Sequence, residues 1–233
     1  MNGRLSKAAR FFIAPMLEKE IPKIIRLLRA EAKRFKTPFV TEVSLKKKDP
    51  FKVLVSCILS LRTKDSTTRD ASERLFKKAS TPERLSSLST TVIERLIYPA
   101  GFYRVKARVI KNISMELVEK YSAKGPDTID GLPKFKGGGR KTANLVVTMG
   151  YGKPGICVDT HVHRIVNRWG YVAAKTADET EAALREKLPK RYWIELNDLL
   201  VTYGQNICRP VSPFCGKCAI ARYCLKKGVM SKR

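Results

Sequence analysis

Apolar residues recur every three or four positions along most of this 233-residue chain, and this spacing is the feature that most constrains its fold. Such spacing places apolar side chains on one face of a helix. From residue 17 to residue 35 it predicts a helix whose buried positions are Leu17, Ile21, Ile24, Ile25 and Leu28. We find no convincing alternation of apolar and polar residues of the kind that marks a half-buried strand. The sequence therefore predicts an all-α protein, with around ten helices joined by short turns.

The helix boundaries follow from capping residues, prolines and glycines. Residues 1–16 are basic and aperiodic, and we expect them to form a loosely held arm. The basic helix predicted from Tyr103 to Tyr121 has an apolar stripe formed by Val105, Val109, Ile113 and Leu117. The other predicted helices are Phe51–Leu61, Asp65–Lys78, one that starts at Thr81, Val92–Ile97, a short one within residues 127–133, Lys141–Met149, Thr160–Trp169, Ala177–Leu188 and Tyr192–Ile207.

The net charge points to a polyanionic partner. The chain has 47 Lys and Arg residues against 21 Asp and Glu residues, a formal net charge of +26. Nucleic acid is the first candidate for such a partner, and an anionic membrane surface is the second. No apolar stretch approaches the ~20 residues that span a bilayer, and the apolar patch Phe11–Ala14 is too short for the core of a signal peptide. We therefore expect a protein without membrane association, located inside the cell, in the cytoplasm or nucleoid if the source is prokaryotic. We also expect it to be a monomer.

Three successive glycines, Gly137–Gly139, precede the helix predicted to start at Lys141. Glycines form tight turns and let backbone N–H groups approach another molecule closely, and a helix N-terminus favours an anion such as phosphate. The amine of Lys141 and the carboxylate of Asp159 flank this turn. Each feature also has a purely structural interpretation. The glycines would only connect two segments, Lys141 would be a solvated lysine, and Asp159 would be the N-cap of the helix that begins near Thr160. Their combination favours an anion site with two reactive groups.

Four of the six cysteines fall in a short C-terminal segment, at Cys208, Cys215, Cys218 and Cys224. In a reducing compartment such clustering indicates a metal site rather than disulfides. Zinc and iron–sulfur clusters both accept four thiolates. Structural zinc sites usually pair two close Cys-x(2–4)-Cys elements, and the segment contains one, so the spacing slightly favours a cluster. Cys157 lies in an apolar context and is expected to be packed.

The segment from Gly137 to Asn144, the segment from Val158 to His161 and the four-cysteine loop together resemble the endonuclease III family of DNA glycosylases. That family belongs to the helix-hairpin-helix glycosylase superfamily. The resemblance covers residues 20–228, nearly the whole chain. It implies a base excision repair enzyme that flips an oxidised pyrimidine out of double-stranded DNA, removes the base, and then nicks the abasic strand.

The resemblance also implies a division into two helical modules with the active-site cleft between them. Residues 48–156 would form a six-helix barrel module that carries the helix-hairpin-helix. Residues 1–47 and 157–233 would form a second, discontinuous module. This second module would be closed by a [4Fe–4S] cluster in the loop 208–224.

Individual roles follow from the matching motif positions. Lys141 matches the catalytic lysine, which attacks C1′ of the damaged nucleotide and cuts the strand through a Schiff base and β-elimination. Asp159 matches the aspartate that assists the lysine and the departing base. The implied cluster ligands are Cys208, Cys215, Cys218 and Cys224. The implied DNA-contacting residues are Gly137, Gly138, Gly139 and Arg140 in the hairpin, Phe102 and Tyr103 in an intercalating loop, His161 beside the lesion, and Arg62 in the space left by the flipped base. Core packing is an equally good interpretation of Phe102 and Tyr103.

Two positions depart from the family pattern. Gly138 stands where an apolar residue usually anchors the hairpin, and Arg62 stands where many members have glutamine. A guanidinium donates hydrogen bonds but cannot accept them, so the preferred opposite base stays open. Two other functions also stay open: a mismatch glycosylase that removes thymine or uracil, and a non-catalytic helix-hairpin-helix DNA-binding protein. Lys141 and Asp159 together favour the enzyme, because binding alone needs neither.

Overall fold

The computed structural model describes residues 7–46, 48–129, 131 and 139–233, with the backbone alone for residues 7–18. Its α-helices are, in chain order, α1 (Lys7–Ala32), α2 (Phe39–Lys46), α3 (Pro50–Ser60), α4 (Asp65–Lys78), α5 (Pro82–Ser86), α6 (Thr90–Ile97), α7 (Tyr103–Tyr121), α8 (Arg140–Leu145), α9 (Thr160–Trp169), α10 (Ala177–Lys187) and α11 (Trp193–Asn206). No strand occurs in these described ranges, and the all-α prediction is confirmed. The short helix predicted within residues 127–133 falls largely outside them.

The chain divides into two compact units. The central unit is Pro38–Cys157, and the terminal unit combines Met1–Thr37 with Val158–Arg233. Residues 38–46, which the sequence grouped with the N-terminal segment, belong to the central unit, because α2 packs against α3 and α4. The backbone N–H of Phe39 also donates to the Asp65 carboxylate at 3.1 Å. The sequence did not predict α2, since eight residues are too few to show a clear period.

The first helix is longer than predicted. Its backbone is helical from Lys7, so the expected loose arm over residues 1–16 is wrong for the described residues 7–16. Lys7–Arg10 is a run of strong helix formers, and the helix continues through Pro15 although proline has no N–H to donate. The predicted apolar face is confirmed where side chains are described, because Ile21, Ile24, Ile25 and Leu28 are fully buried.

Helix starts in the central unit follow local capping chemistry. The side chains of Asp49, Thr81 and Ser89 accept backbone N–H groups at the starts of α3, α5 and α6. Pro50 and Pro82 occupy the first helical positions, where a missing N–H costs nothing. Such caps fix where each helix begins.

The buried stripe of α7 differs from the prediction. Ile113 and Leu117 are buried as expected, but Val105 is 51% exposed. The residues that α7 buries are Lys106, Ala107, Ile110, Ile113, Ser114 and Leu117. Since α5 and α6 both pack against α7, the inward face is set by these partners, and it includes a lysine.

The helix that starts at Arg140 widens at its end into a π-helical turn, Val146–Gly150. The N–H of Tyr151 bonds to the carbonyl of Val146 at 3.1 Å, a step of five residues. A Cβ added at Gly150 would come 2.7 Å from Cα of Pro50. Glycine therefore lets the backbone of this turn approach the start of α3, and the contact anchors the helix that carries Lys141.

The terminal unit packs α1 and α9 against α11. Arg29 on α1 donates two hydrogen bonds, of 2.7 and 2.6 Å, to the carboxylate of Glu195 on α11. The C-terminal loop folds back onto the end of α9, where Gly170 has φ +89°. A Cβ at Gly170 would come 2.4 Å from Leu225. This close approach brings the cysteine-rich loop against α9.

Candidate functional site

The first turn of α8 presents the predicted anion site to solvent. Gly139 is the N-cap residue, in an extended conformation that any residue can adopt (φ −65°, ψ 167°). A Cβ added there would meet nothing within 4 Å. Gly139, Arg140 and Lys141 are all exposed. Among the described residues, nothing therefore covers Gly139 at this turn. Gly137 and Gly138 lie outside the described residues.

Two buried thiols lie close to Lys141. The Sγ of Cys157 donates to the Lys141 carbonyl at 3.6 Å. Burial raises the pKa of Cys57 to about 12, against a smaller opposing effect of the Lys141 charge. Both cysteines are 2% exposed, as the sequence predicted for Cys157. A thiol that stays protonated is a poor nucleophile, so Cys57 is not a competing nucleophile, and Cys157 is buried whereas Lys141 is exposed.

Asp159 caps α9, as its structural interpretation predicted. Its Oδ1 accepts the backbone N–H groups of His161 at 2.9 Å and Val162 at 2.8 Å. Both capping bonds end on the same oxygen, which leaves Oδ2 outside the cap. The side chain is half-buried. A carboxylate held in this way has one oxygen fixed by the helix and a second oxygen directed elsewhere.

The ring of His161 is fixed against α11. A Cβ at Gly204 would come 2.3 Å from His161 Nδ1, so only glycine permits this approach. Arg164 Nη2 lies 3.1 Å from the same nitrogen and also donates to the carbonyl of Cys208 at 2.8 Å. Because a guanidinium has no acceptor, Nδ1 accepts in this contact. Burial lowers the pKa of Arg164.

Arg62 and Phe102 meet on the surface of the central unit. Both have left-handed backbone conformations, with φ +50° and +57°, which are uncommon for residues other than glycine. The Arg62 guanidinium lies 5.6 Å from the centre of the Phe102 ring. Phe102 is 60% exposed. Tyr103 is only partly exposed, packs on the core, and contacts the ring of Tyr98 edge-on at 5.4 Å. The two aromatic residues of this loop therefore have different environments. Phe102 is exposed to solvent, and Tyr103 packs on the core.

The four C-terminal cysteines line one cavity within the terminal unit. All four are free thiols. Among the described residues, however, no group of three or more His, Cys, Asp or Glu side chains forms a site for a metal ion. The four thiols therefore lie around one space, although no metal site is formed among them.

Hydrogen-bond donors point at the sulfur atoms of this cavity. Tyr203 donates its hydroxyl to Cys218 Sγ at 3.2 Å, the Lys226 N–H donates to Cys224 Sγ at 3.3 Å, and Arg168 lies 3.7 Å from Cys208 Sγ. Burial raises the pKa of Cys224 to about 11. These donors favour thiolate, the form in which cysteine binds metal.

The sequence did not lead us to predict one buried charge, the amine of Lys106. Lys106 is 5% exposed, and its amine donates to the Leu59 carbonyl at 2.7 Å, the Leu61 carbonyl at 2.6 Å and the Thr63 hydroxyl at 2.8 Å. The sequence does indicate its burial, because Lys106 lies four and seven residues before Ile110 and Ile113 and therefore on the same helix face. A lysine in phase with an apolar stripe needs a buried partner.

The predicted site residues fall into two groups. The central unit contains Arg62, Phe102, Tyr103, Gly139, Arg140 and Lys141. Asp159, His161 and the four cysteines lie in the terminal unit. The structure brings Arg62 together with Phe102 in the first group, and the four cysteines around one cavity in the second.

Comparison with known proteins identifies the family. Residues 55–190 match the HhH-GPD superfamily of base excision DNA repair proteins. Endonuclease III of Thermotoga maritima is 45% identical over 179 residues, which are 77% of this chain and 84% of that protein. The chain belongs to the endonuclease III family. The predicted base excision DNA glycosylase with abasic-site lyase activity is thereby confirmed.

Solved endonuclease III structures agree with this assignment. A non-covalent Endonuclease III–DNA complex matches with a TM-score of 0.76 at 32% identity, covering 88% of this chain and 95% of that one. A thermostable thymine-DNA glycosylase has the same TM-score but 21% identity, which shows a shared fold alone. The chain spans 58% of the length of the Bos taurus Endonuclease III-like protein 1, to which it is 40% identical. Among the described residues, the helices are too short or too polar to cross a bilayer; the expected monomer and compartment stay predictions.

Proposed function

We propose that this endonuclease III family enzyme removes oxidised pyrimidines from duplex DNA and cuts the resulting abasic strand through a Schiff base on Lys141. The observation that carries the proposal is the exposure of Lys141 in the first turn of α8. Two findings support it: the nearby thiols are buried, and a neighbour at 31% identity was solved as a trapped Endonuclease III–DNA covalent intermediate.

The lysine would act in two steps. Its uncharged amine attacks C1′ of the damaged nucleotide, the C1′–N bond breaks, and the base leaves with the bonding electron pair. The nitrogen then loses a proton, the C1′–O4′ bond of the sugar ring breaks with protonation of O4′, and a protonated imine forms at C1′. This imine makes the 2′ proton acidic, and its removal expels the 3′ phosphate by β-elimination. A covalent intermediate of this kind splits one difficult displacement into easier steps.

Asp159 would support the first step. Oδ1 is held by the two N–H groups of α9, and Oδ2 would accept the amine proton or stabilise positive charge that develops on the sugar. Fixing one oxygen in the helix cap holds the other in a defined position, so the cap prepares the carboxylate without a rearrangement.

Duplex DNA would be bound at two places on the central unit. A phosphate would lie at the open turn before α8, where Gly139 leaves room and Arg140 adds charge. Phe102, with Arg62 stacked beside it, would enter the base stack next to the lesion. Such a wedge offsets the few kcal/mol that flipping a base out of the duplex costs.

The four cysteines fit a [4Fe–4S] cluster. A single zinc ion bonds each sulfur at about 2.3 Å and draws four thiolates tightly together, whereas a four-iron cluster binds each thiolate through a different iron. The four free thiols that line one cavity, and the donors that point at their sulfurs, would serve as cluster ligands, and the family favours a cluster over zinc. Bound there, a cluster would supply folding free energy to the C-terminal loop.

Borohydride trapping tests the nucleophile. Reduction during turnover on a duplex containing thymine glycol should convert the imine into a stable protein–DNA adduct. Lys141→Gln should lose both the adduct and the nick. Lys120→Gln, which removes the charge of another exposed lysine, should retain both and serves as the control.

Two outcomes would contradict the proposal. An adduct that survives in Lys141→Gln would move the nucleophile to another residue. Base release without any adduct in the unmodified protein would make the enzyme a glycosylase without a Schiff base. A parallel duplex with uracil opposite guanine tests the mismatch alternative, which no feature of the described site favours.

A further inference from the structure

A buried ammonium group joins the two turns that carry Arg62 and Phe102. Lys106 projects from the first turn of α7 towards the end of α3 and donates all three of its N–H groups. Two acceptors, the carbonyls of Leu59 and Leu61, belong to the last turn of α3 and its C-cap. The carbonyl end of a helix carries partial negative charge, so the cation is neutralised by a helix end. Among the described ion pairs, Lys106 has no carboxylate partner.

The third acceptor extends this junction. The hydroxyl of Thr63 accepts from Lys106 at 2.8 Å and also from the backbone N–H of Gly101 at 3.1 Å. A Cβ at Gly101 would come 2.5 Å from the carbonyl oxygen of Arg62. The turn after α3 and the turn before α7 are thus in direct backbone contact. Gly101 permits that contact, and Lys106 and Thr63 hold it.

The two side chains next to this junction are exposed and sit on unusual backbone. Arg62 and Phe102 both have positive φ, a conformation that persists only where the surroundings enforce it. Each adjoins a residue of the junction, Thr63 or Gly101. Without the junction, each turn could relax towards ordinary φ values, and the two side chains would separate.

We propose that Lys106 is a positioning residue, whose buried amine holds Arg62 and Phe102 together in the arrangement that enters the DNA base stack. This inference rests on the proposed function, in which these two side chains flip the damaged nucleotide. Lys106 touches neither DNA nor the reacting atoms; it acts through the turns. Burial lowers its pKa to about 8, so the amine is still mostly protonated at neutral pH and keeps three donors.

The test compares two lysines of the same helix. Lys106→Met keeps a long, unbranched side chain and removes the three donors. Lys111→Met is the matched control, because the Lys111 amine also donates to a carbonyl, that of Leu88 at 2.8 Å, in a turn that carries neither Arg62 nor Phe102. Base flipping is read from the fluorescence of 2-aminopurine next to a thymine glycol lesion, and base excision from single-turnover rates. Nicking of an abasic site in single-stranded DNA reports the chemistry without flipping.

Lys106→Met should lower the flipping signal and slow base excision by roughly tenfold or more, as a displaced positioning group does. Its cleavage of the single-stranded abasic site should stay within about twofold of the unmodified rate, because that substrate needs no wedge. Lys111→Met should leave all three readouts unchanged. If Lys106→Met does not fold, as judged by circular dichroism, Thr63→Val removes the shared hydroxyl alone and should show the same selective loss.

Three outcomes distinguish the positioning role of Lys106, a general structural role, and a failure of the proposed function. Normal flipping and excision in Lys106→Met, or in Thr63→Val where it is used, would overturn the positioning role. An equal loss on the duplex and on the single strand would also overturn it, because it would show a general structural role. Failure of the unmodified protein to excise the base or cut the abasic strand would instead refute the proposed function.

Discussion

At the scale of single residues, the two oxygens of Asp159 separate its structural and chemical roles. The structure shows the cap that the sequence also allowed, with both helix N–H groups on Oδ1. The proposed chemistry needs the other oxygen and the negative charge. Asparagine supplies an equally good capping oxygen but no charge, whereas alanine supplies neither. The two substitutions therefore distinguish the roles.

Asp159→Asn should slow base release on the order of 10²-fold or more, because general acid–base assistance is lost. It should leave the thermal stability and lesion binding nearly unchanged, because the cap remains and a negative charge near DNA is removed. Asp159→Ala should lose activity as well and should also lower the free energy of unfolding by ~1 kcal/mol. Single-turnover excision and thermal unfolding measure the two effects. Unchanged base release in Asp159→Asn would remove this residue from the mechanism.

At the scale of elements, the helix that starts at Arg140 is packed at its C-terminal end and exposed at its N-terminal turn. Its π-helical end packs against the start of α3, and its first turn faces open space at Gly139. A helix anchored at its end can present backbone N–H groups and the Lys141 amine without moving. The sequence predicted this helix and its exposed start. The anchoring contact at Gly150 came only from the fold.

Gly139 permits a matched pair of substitutions. Because a Cβ meets nothing there and the backbone is extended, Gly139→Ala and Gly139→Asp should both fold. Aspartate is also a favourable N-cap, so Gly139→Asp should be at least as stable as Gly139→Ala. Its carboxylate would repel the proposed phosphate, and affinity for any duplex should fall by about tenfold relative to Gly139→Ala. Fluorescence anisotropy measures this ratio, and equal affinities would place the phosphate elsewhere.

At the scale of the whole molecule, the proposed cluster would join sequence-distant parts of the terminal unit. Two residues at helix ends also line the cysteine cavity. Arg168 lies in the last turn of α9, and Ile207 directly follows α11. A group bound there would connect the C-terminal loop to both helices. Metal binding would then stabilise the unit as a whole, since its free energy adds to that of folding.

Purified protein should be yellow-brown and contain about four irons per chain. Cys215→Ala should lose iron and lower the unfolding temperature, because a cluster ligand is removed. Cys57→Ala is the control: Cys57 is buried in the core of the central unit, so this variant should keep its iron although it leaves a small cavity. Colourless protein with one zinc per chain, or full iron content in Cys215→Ala, would contradict the assignment.

The sequence by itself determined the helical class, most helix starts, the family and the grouping of four cysteines. These features depend on local periodicity, capping residues and short motifs, which a chain carries before it folds. Lys141 and Asp159 could be singled out in the same way, although their roles stay proposals. The compact unit to which residues 38–46 belong could not be predicted, because the packing of α2 cannot be inferred from its own eight residues.

Only the tertiary structure decided which side chains of α7 and its preceding loop face inward. Val105 is exposed, Lys106 is buried, and Phe102 and Tyr103 have different environments. The acceptors that make burial of Lys106 possible lie 47 and 45 residues away along the chain, at Leu59 and Leu61. Periodicity reports which residues share a face, but burial of a charge depends on partners that long-range packing brings together.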